Sequence, residues 1–290
     1  MKKGMFLGIC VLFCALSVSA QQSNGVGTNA WFKGPVGLQM YSLRDVTKGN
    51  VEEGIRLASQ MGFKYVEASN TFGLTIEQYQ ELLQKYGLTS PVGGSTYGEI
   101  QTEEGLEKAI HKAKTLGAKY VRIAWIDHKR PFDEAAARKA IAVFNKAGKR
   151  LAEEGLMFAY HNHGYEFVPY KDGTLMDLIL QETDPRYVTF EMDVLWTIFP
   201  GADPVALLKK YPNRWKLMHL KDLKKGVVGN LTGGTSTDND VAIGTGQADY
   251  SAILRTAQET GVEYYFIEDE SPRFRTQILE SLRNLEAMKN

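Results

Sequence analysis

Cysteine is nearly absent from this 290-residue chain, which contains only Cys10 and Cys14. Both cysteines lie inside an N-terminal apolar stretch at residues 5–16, so the remainder of the chain has no thiol. This excludes disulfides and cysteine-bound zinc from the remainder. Stability must then come from core burial, and about 270 residues are enough for one large domain.

The N-terminal apolar stretch is shorter than the ~20 residues that a membrane-spanning helix needs. Lys2 and Lys3 precede it, and the small residues of 18–20 (VSA) follow it before a polar segment. This arrangement predicts a secretion signal at residues 1–20, with a membrane anchor as the weaker alternative. We expect export across the inner membrane to the periplasm and no membrane attachment after cleavage.

Neither sign of charge is in excess, because 34 basic residues balance 34 acidic ones. Without Lys2 and Lys3 the balance becomes 32 basic to 34 acidic residues. No basic run stands out, so the composition favours neither nucleic acid nor an anionic membrane as a partner. We expect a small-molecule ligand, and homo-oligomerisation stays open.

Helical segments alternate with short apolar runs along most of the chain. Glycine separates several of these pairs, for example at Gly62, Gly117 and Gly261, and glycine readily takes the left-handed position after a helix. The pattern predicts strands near 36–42, 64–69, 88–94, 119–125, 157–162, 188–193, 215–221 and 264–269. It predicts helices at 50–61, 75–86, 102–116, 133–154, 174–183, 203–211, 250–260 and 272–288.

Eight strand–helix units in about 250 residues are typical of an α/β protein with a (β/α)₈ TIM barrel. A doubly wound open sheet is the alternative, but no G-x-G-x-x-G follows the first strand. We expect a flexible segment at 21–34 and a single barrel domain at 35–290. The Gly- and Thr-rich segment 223–248 has no clear period, and it could be a lid or a floppy insertion.

Four predicted strands end in residues that can bind a metal. They are 158–163 (FAYHNH), 188–193 (VTFEMD), 215–222 (WKLMHLKD) and 264–270 (YYFIEDE). Catalytic groups of such barrels lie at the carboxyl ends of the strands, and these four strands are spatial neighbours. We therefore expect four side chains to share one divalent cation: His161, Asp193, His219 and Glu268.

Each of these four residues alone has a simpler interpretation, such as a satisfied histidine or a turn-capping aspartate. Their joint burial would be unfavourable without a compensating cation. Two imidazoles and two carboxylates suit Mn²⁺, Co²⁺, Mg²⁺ or Zn²⁺. Glu191 lies two residues before Asp193 and could be an alternative ligand or an acid inside the barrel.

Three residues are candidates for moving protons: Glu268, His163 and Lys221. Because a cation beside Lys221 would disfavour its ammonium form, this lysine could carry a proton, or it could anchor a substrate group. Polar and aromatic residues near the same strand ends are candidates for substrate contact, although the aromatic ones could simply be packing: Gln39, Tyr41, Glu67, Arg122 and Trp196.

Four motifs carry a family resemblance: 160–167 (YHNHGYEF), 192–196 (MDVLW), 219–222 (HLKD) and the turn 244–249 (GTGQAD). On these residues the chain resembles the sugar isomerase/epimerase superfamily of xylose-isomerase-like TIM barrels over about 35–288. The resemblance implies a one-metal site held by Glu, Asp, His and Glu. Asp193, His219 and Glu268 match the last three positions, whereas His161 stands where the ketose 3-epimerases carry Glu.

The resemblance implies a metal-dependent enzyme that removes a proton next to the carbonyl of a keto-sugar. We expect an isomerase or epimerase, and export disfavours a phosphorylated substrate. Because His161 replaces a proton-transferring Glu, and inosose-dehydrating relatives resemble the chain here, a lyase or keto-glycoside-cleaving enzyme is the alternative. A non-catalytic sugar-binding barrel is a more remote alternative. The superfamily also contains multi-zinc endonucleases, but these need many metal ligands, and a chain with five histidines argues against such a site.

Overall fold

The computed structural model describes residues 25–68 and 70–289. Residues 1–20, with the predicted secretion signal, lie outside the described residues. Eight parallel strands close into a barrel in the order β1-β8-β7-β6-β5-β4-β3-β2, which confirms the predicted (β/α)₈ fold. The strands are β1 Val36–Gln39, β2 Tyr65–Ala68, β3 Thr89–Gly94, β4 Tyr120–Ile123, β5 Met157–His161, β6 Val188–Asp193, β7 Trp215–Leu220 and β8 Tyr264–Ile267.

Helices surround the barrel, and many begin at a polar capping residue. Asn50 accepts from the Glu53 N–H at the start of one, and Thr75 forms a capping box with Gln78. The helices are α1 Arg44–Thr47, α2 Val51–Gln60, α3 Ile76–Lys85, α4 Tyr97–Gln101, α5 Glu103–Leu116, α6 Glu134–Glu153, α7 Leu175–Glu182, α8 Val194–Ile198, α9 Pro204–Lys210, α10 Tyr250–Glu259 and α11 Phe274–Ala287.

A small apolar cluster formed by residues from five strands packs apart from the main core. It consists of Val92, Tyr120, Ala159, Leu217 and Phe266. Four of these residues are followed, two positions later, by a polar residue: Tyr120 by Arg122, Ala159 by His161, Leu217 by His219 and Phe266 by Glu268. Because alternate strand residues point the same way, these polar side chains follow the apolar cluster toward the carboxyl end of the barrel.

The described part of the N-terminal segment contacts the barrel domain. Within 25–34 the Phe32 ring is fully buried, and its centroid lies 5.0 Å from that of Tyr265. The Trp31 indole N–H donates to the carbonyl of Met288, 3.0 Å away. Two aromatic side chains thus pack residues 25–34 against the domain, and the flexibility of 21–34 stays a prediction.

The long segment after β7 is partly ordered by short-range pairing. Asp222–Leu223 pairs in antiparallel fashion with Asp240–Val241. At Gly233, where φ is +67°, a Cβ would lie 2.8 Å from the Tyr165 ring and 3.0 Å from the carbonyl oxygen of His163. The segment therefore contacts the loop after β5, close to the predicted site. Within the described ranges, no helix has the length and apolar character to cross a membrane.

Candidate metal centre

Three of the four predicted ligands come within bonding range of a common ion. His161 ends β5, Asp193 ends β6 and His219 lies near the end of β7, and all three are buried. One ligand atom from each lies within 4.8 Å of the other two. Glu268 follows β8, and its Oε2 lies 3.3 Å from the His219 Nδ1. The structure thus brings all four predicted residues together.

Two atoms of this cluster have no hydrogen-bond partner within the part of the chain that the structure describes. They are the Oδ2 of Asp193 and the Nδ1 of His219, which lie 3.7 Å apart. The His161 Nε2 lies 3.8 Å from the same Asp193 oxygen. Burying unpartnered polar atoms is unfavourable, and a divalent cation between them would compensate. The donor set therefore fits a divalent metal ion.

The ionisation of the cluster also favours a cation. Burial lowers the pKa of His161 to about 3, so its imidazole is neutral, as a metal ligand must be. Burial would lower the pKa of His219 too, but Glu191, Glu67 and Glu268 raise it well above its ordinary value. The carboxylates thus attract positive charge to this imidazole. A metal ion on Nδ1 would supply that charge in place of a proton.

A second group of charged side chains lies beside the cluster and is internally paired. We call it the Arg122 network: Arg122 of β4, Glu67 of β2 and Glu191 of β6. The Arg122 Nε donates to Glu67 Oε1 at 2.5 Å and lies 3.2 Å from Glu191 Oε2. Glu67 also receives a 2.6 Å contact from the His219 Nε2.

Glu67, Glu191 and His219 also lie close enough together to hold an ion. The guanidinium already supplies positive charge at this point, so the geometry favours an ion pair over a second metal. Burial would raise the pKa of Glu67, but Arg122 and His219 lower it. Glu67 was predicted to contact substrate, but it is fully buried beneath the cavity. Glu191 could have been an alternative metal ligand or an acid inside the barrel, and its pairing with Arg122 favours the acid inside the barrel.

A cavity of about 370 Å³ opens above the cluster. Gln39 and Tyr41 line it as predicted, and the Gln39 Nε2 lies 3.5 Å from the His219 Nε2. Arg122 also lines it. Trp196 does not, because its indole is buried and stacks on the His163 ring at 4.9 Å between centroids. The predicted sugar contact by Trp196 is therefore not supported, and Trp196 supports His163 instead.

His163 lines the cavity with a neutral imidazole. Burial lowers the pKa of His163 well below its ordinary value, and the positive charge of the nearby Lys221 adds to this effect. Its loop is held by Glu166, whose carboxyl accepts from the His163 backbone N–H at 2.9 Å and from the Tyr160 hydroxyl. The geometry thus places His163, a candidate from the sequence, at the cavity and Glu166 behind it as the support of its loop.

Lys221 lies among three carboxylates. Burial alone would lower the pKa of Lys221, but Asp240, Glu268 and Glu270 raise it well above its ordinary value. The Nζ lies 3.1 Å from Glu268 Oε2 and 2.5 Å from Glu270 Oε1. Lys221 is therefore placed to position Glu268, and its role in moving a proton beside a bound cation stays a prediction.

Two residues beside Lys221 were missed or not weighed from the sequence. Glu270 lines the cavity. Its position two residues after Glu268 could have indicated this, because residues two apart in an extended segment point to the same side. Asp240 lies in the irregular segment after β7, where no periodicity could mark it. Its carboxyl accepts from the Glu270 N–H at 2.9 Å and lies 3.8 Å from the Lys221 Nζ. It links that segment to the site.

Residues 55–288 match the family described as xylose isomerase-like TIM barrel. The chain belongs to this family. It is 24% identical over 263 residues to an inosose dehydratase of Clostridium botulinum, which covers 81% of this chain and 88% of that protein. A match at 28% identity to the inosose dehydratase of Clostridium tetani spans 57% of this chain and only 47% of that relative.

Solved structures show the same barrel. A sugar phosphate isomerase/epimerase from Parabacteroides distasonis superposes with a TM-score of 0.67 at 25% identity, over 87% of this chain and 93% of that one. A xylose isomerase-like TIM barrel protein from Mycobacterium smegmatis, solved in complex with magnesium, superposes with a TM-score of 0.67 at 17% identity, over 87% and 95%. Members of this family include sugar isomerases or epimerases and dehydratases.

Proposed function

We propose that this protein is a metal-dependent sugar isomerase or epimerase that removes a proton next to the carbonyl of a non-phosphorylated keto-sugar. The observation that carries the proposal is the pair of unpartnered buried atoms, Asp193 Oδ2 and His219 Nδ1, at the base of a polar cavity. One divalent ion, Mn²⁺, Co²⁺, Mg²⁺ or Zn²⁺, would be held there together with His161 and Glu268.

A bound divalent ion supplies Lewis acidity, which stabilises the negative charge that develops on a carbonyl oxygen when a neighbouring proton leaves. The protein supplies the groups that move the proton. His163 can accept a proton, because its imidazole is neutral and lines the cavity. Glu268 already faces His219 and Lys221, so its carboxylate is held in place and kept ionised.

Charge in the cavity supports a substrate without phosphate. Of the described residues that line it, Arg122 is the one with a permanent positive charge, and it already pairs with Glu67 and Glu191. The remaining polar lining includes Gln39, Asn70 and Glu270. Amide and carboxylate groups suit sugar hydroxyls, whereas a phosphate dianion would find no arginine or lysine without a carboxylate partner among the described residues that line the cavity.

Elimination of water or a glycosidic oxygen is the second candidate. His161 occupies the position where ketose 3-epimerases carry a proton-transferring Glu, and its neutral imidazole faces Asp193. The described residues that line the cavity then offer His163 and Glu268 for proton transfer, in place of the two Glu residues of the epimerases. The similarity to inosose dehydratases supports the same outcome.

Proton exchange in D₂O tests the proposal. Purified protein would be incubated with free ketoses, inososes and 3-keto-glycosides, with and without a chelator, and followed by NMR and mass spectrometry. We expect metal-dependent deuterium incorporation next to the carbonyl. A rearranged sugar of unchanged composition indicates isomerisation or epimerisation, whereas loss of water or aglycone indicates elimination. Turnover that survives complete metal removal contradicts the mechanism.

His163→Phe sharpens this test. Phenylalanine keeps an aromatic ring to stack on Trp196 but cannot accept a proton. We expect normal metal binding and loss of deuterium incorporation in this variant. Undiminished incorporation would assign the proton transfer to Glu268 instead.

We also propose that the protein acts in the periplasm, since residues 1–20 have the composition of a secretion signal. The carbohydrate substrate would then be one that is present outside the cytoplasm. Cell fractionation and N-terminal sequencing of the full-length product test this. A product in the cytoplasmic fraction that retains Met1 contradicts it.

A further inference from the structure

We infer that the Arg122 network is a positioning unit for the metal site. Its two carboxylates determine which ring nitrogen each metal-site histidine offers to the ion: Nε2 of His161 and Nδ1 of His219. The inference rests on the proposed function, because it concerns the geometry of the proposed ligands. It assigns Glu67 and Glu191 a role in orienting imidazoles in place of a role in binding substrate.

The contact between Glu191 and His161 sets the first imidazole. The Oε2 of Glu191 lies 3.1 Å from the His161 Nδ1. The same oxygen lies 3.2 Å from the Arg122 Nε and 3.2 Å from the His219 Nε2. The Arg122 guanidinium beside this oxygen favours its carboxylate form, and a carboxylate can only accept, so the inferred His161 proton lies on Nδ1. Its Nε2 lone pair then faces the Asp193 carboxylate and a shared ion.

The contact between Glu67 and His219 sets the second imidazole in the opposite sense. The His219 Nε2 lies 2.6 Å from Glu67 Oε2 and therefore carries a proton. This leaves Nδ1 as the ligand atom, 3.3 Å from Glu268 Oε2 and 3.7 Å from Asp193 Oδ2. A carboxylate that accepts from the second ring nitrogen of a metal-bound histidine is a common way to fix its tautomer.

Arg122 joins the two carboxylates into one unit. Its guanidinium contacts Glu67 Oε1 and Glu191 Oε2 at once. The three residues come from β2, β4 and β6, and the side chains of alternate strands form a common layer inside such a barrel. Displacement of the guanidinium would therefore disturb both histidines together.

The tautomers can be read directly in the intact protein. Long-range ¹H–¹⁵N NMR of the Zn²⁺-loaded protein distinguishes protonated from metal-bound ring nitrogens in each histidine. We expect a proton on Nδ1 of His161 and on Nε2 of His219. The same tautomer in both residues, or the reverse assignment, overturns the inference.

Substitution at Glu191 provides a second test, with Co²⁺ as the probe. Glu191→Gln keeps an acceptor oxygen, whereas Glu191→Met has similar length and none. We expect Glu191→Met to bind Co²⁺ about 10- to 100-fold more weakly in chelator competition, with a changed visible spectrum. Glu191→Gln should retain most of the affinity. Wild-type affinity and spectrum in Glu191→Met overturn the inference.

Glu166→Met is the matched control, because Glu166 is a fully buried carboxyl in the loop after β5 that contacts neither metal-site imidazole. We expect a less stable protein with wild-type Co²⁺ affinity. A loss of affinity equal to that of Glu191→Met would show that any buried carboxyl matters, and would overturn the specific role. A wild-type protein that binds no divalent ion instead contradicts the proposed function itself.

Discussion

The barrel interior contains two groups of charged side chains that differ in how they are neutralised. In the Arg122 network each carboxylate has a cationic partner, Arg122 or His219. In the metal cluster, Asp193 Oδ2 and His219 Nδ1 have no hydrogen-bond partner among the described residues, and the nearest imidazole nitrogens lie 3.7 and 3.8 Å from the Asp193 oxygen. Both groups are buried near the same end of the barrel. Close pairing with a guanidinium is typical of a structural support, even though Glu191 Oε1 has no hydrogen-bond partner in the described part of the chain, whereas several convergent donor atoms without partners are typical of a site that binds something else.

Breaking the paired group should have the largest effect on stability. Arg122→Met removes the guanidinium and leaves Glu67 and Glu191 buried without it, so we expect a loss of about 3–5 kcal/mol in unfolding free energy. Urea denaturation measures this. As a control, Arg138→Met removes an arginine that pairs with Glu134 and Glu182 on the surface, and it should unfold near the wild-type midpoint. Equal losses of unfolding free energy in Arg122→Met and Arg138→Met would contradict a special role of the buried pairing.

Breaking the unpaired group should remove function and leave the fold intact. Asp193→Asn deletes one negative charge at Oδ2, yet asparagine can still cap α8, where Asp193 Oδ1 accepts from the Trp196 N–H at 2.9 Å. We expect metal affinity to fall by more than ~100-fold, the upper loss typical of residues that only hydrogen-bond to a metal ligand. Calorimetric titration with Mn²⁺ measures this, and circular dichroism should show unchanged helix content. Metal affinity within a few-fold of wild type would remove Asp193 from the ligand set.

Glu166 is a buried carboxyl that belongs to neither the Arg122 network nor the metal cluster, so it shows how a carboxyl outside both groups responds to burial. Burial raises its pKa from 4.5 to about 7. Because the folded state holds this proton more tightly than the unfolded state, its stabilisation is complete below pH 4.5 and is lost as the pH rises to about 7. The loss is about 3 kcal/mol at most.

Glu166→Gln should remove this pH dependence. Thermal unfolding of both proteins between pH 4.5 and 8 measures the difference. We expect the stability of the variant relative to wild type to increase with pH across this window. A constant difference would show that Glu166 does not titrate there.

The cavity rim should give the smallest effect. Tyr41 lines the cavity and is 40% exposed, so it can contact substrate but is not held rigidly. We expect Tyr41→Ala to raise KM about threefold with kcat unchanged, the result for binding that is equal in ground and transition states. The control is Tyr187→Ala: Arg186 packs over the Tyr187 ring as Arg44 packs over Tyr41, and this variant should leave both constants unchanged. A fall in kcat for Tyr41→Ala would place that ring in the reaction itself.

Local signals made most of the fold predictable. The glycine and capping signals, such as Gly117 with φ of +66° at the end of α5, act within a few residues and mark helix ends reliably. The packing of the N-terminal segment on the barrel was not predictable, because the buried Phe32 ring packs on Tyr265, a residue 233 positions away. Local polarity contains no information about such a distant partner.

The candidate ligands were predictable for the same reason that the strands were. A strand that ends in His161, Asp193 or His219 delivers that side chain to one end of a parallel barrel, whatever its neighbours are. The partners of these residues were not predictable. The sequence placed Glu67 and Trp196 at the substrate, but burial beneath the cavity and behind His163 separates them from it.

Sequence alone determined the alternation of strands and helices and the residue types at the strand ends, because both depend on neighbours along the chain. Tertiary structure decided which charges face one another. The three carboxylates around Lys221 and the guanidinium that joins Glu67 to Glu191 come from different strands and loops. Coulomb energy depends on distance in space, and only closure of the barrel brings these groups within reach.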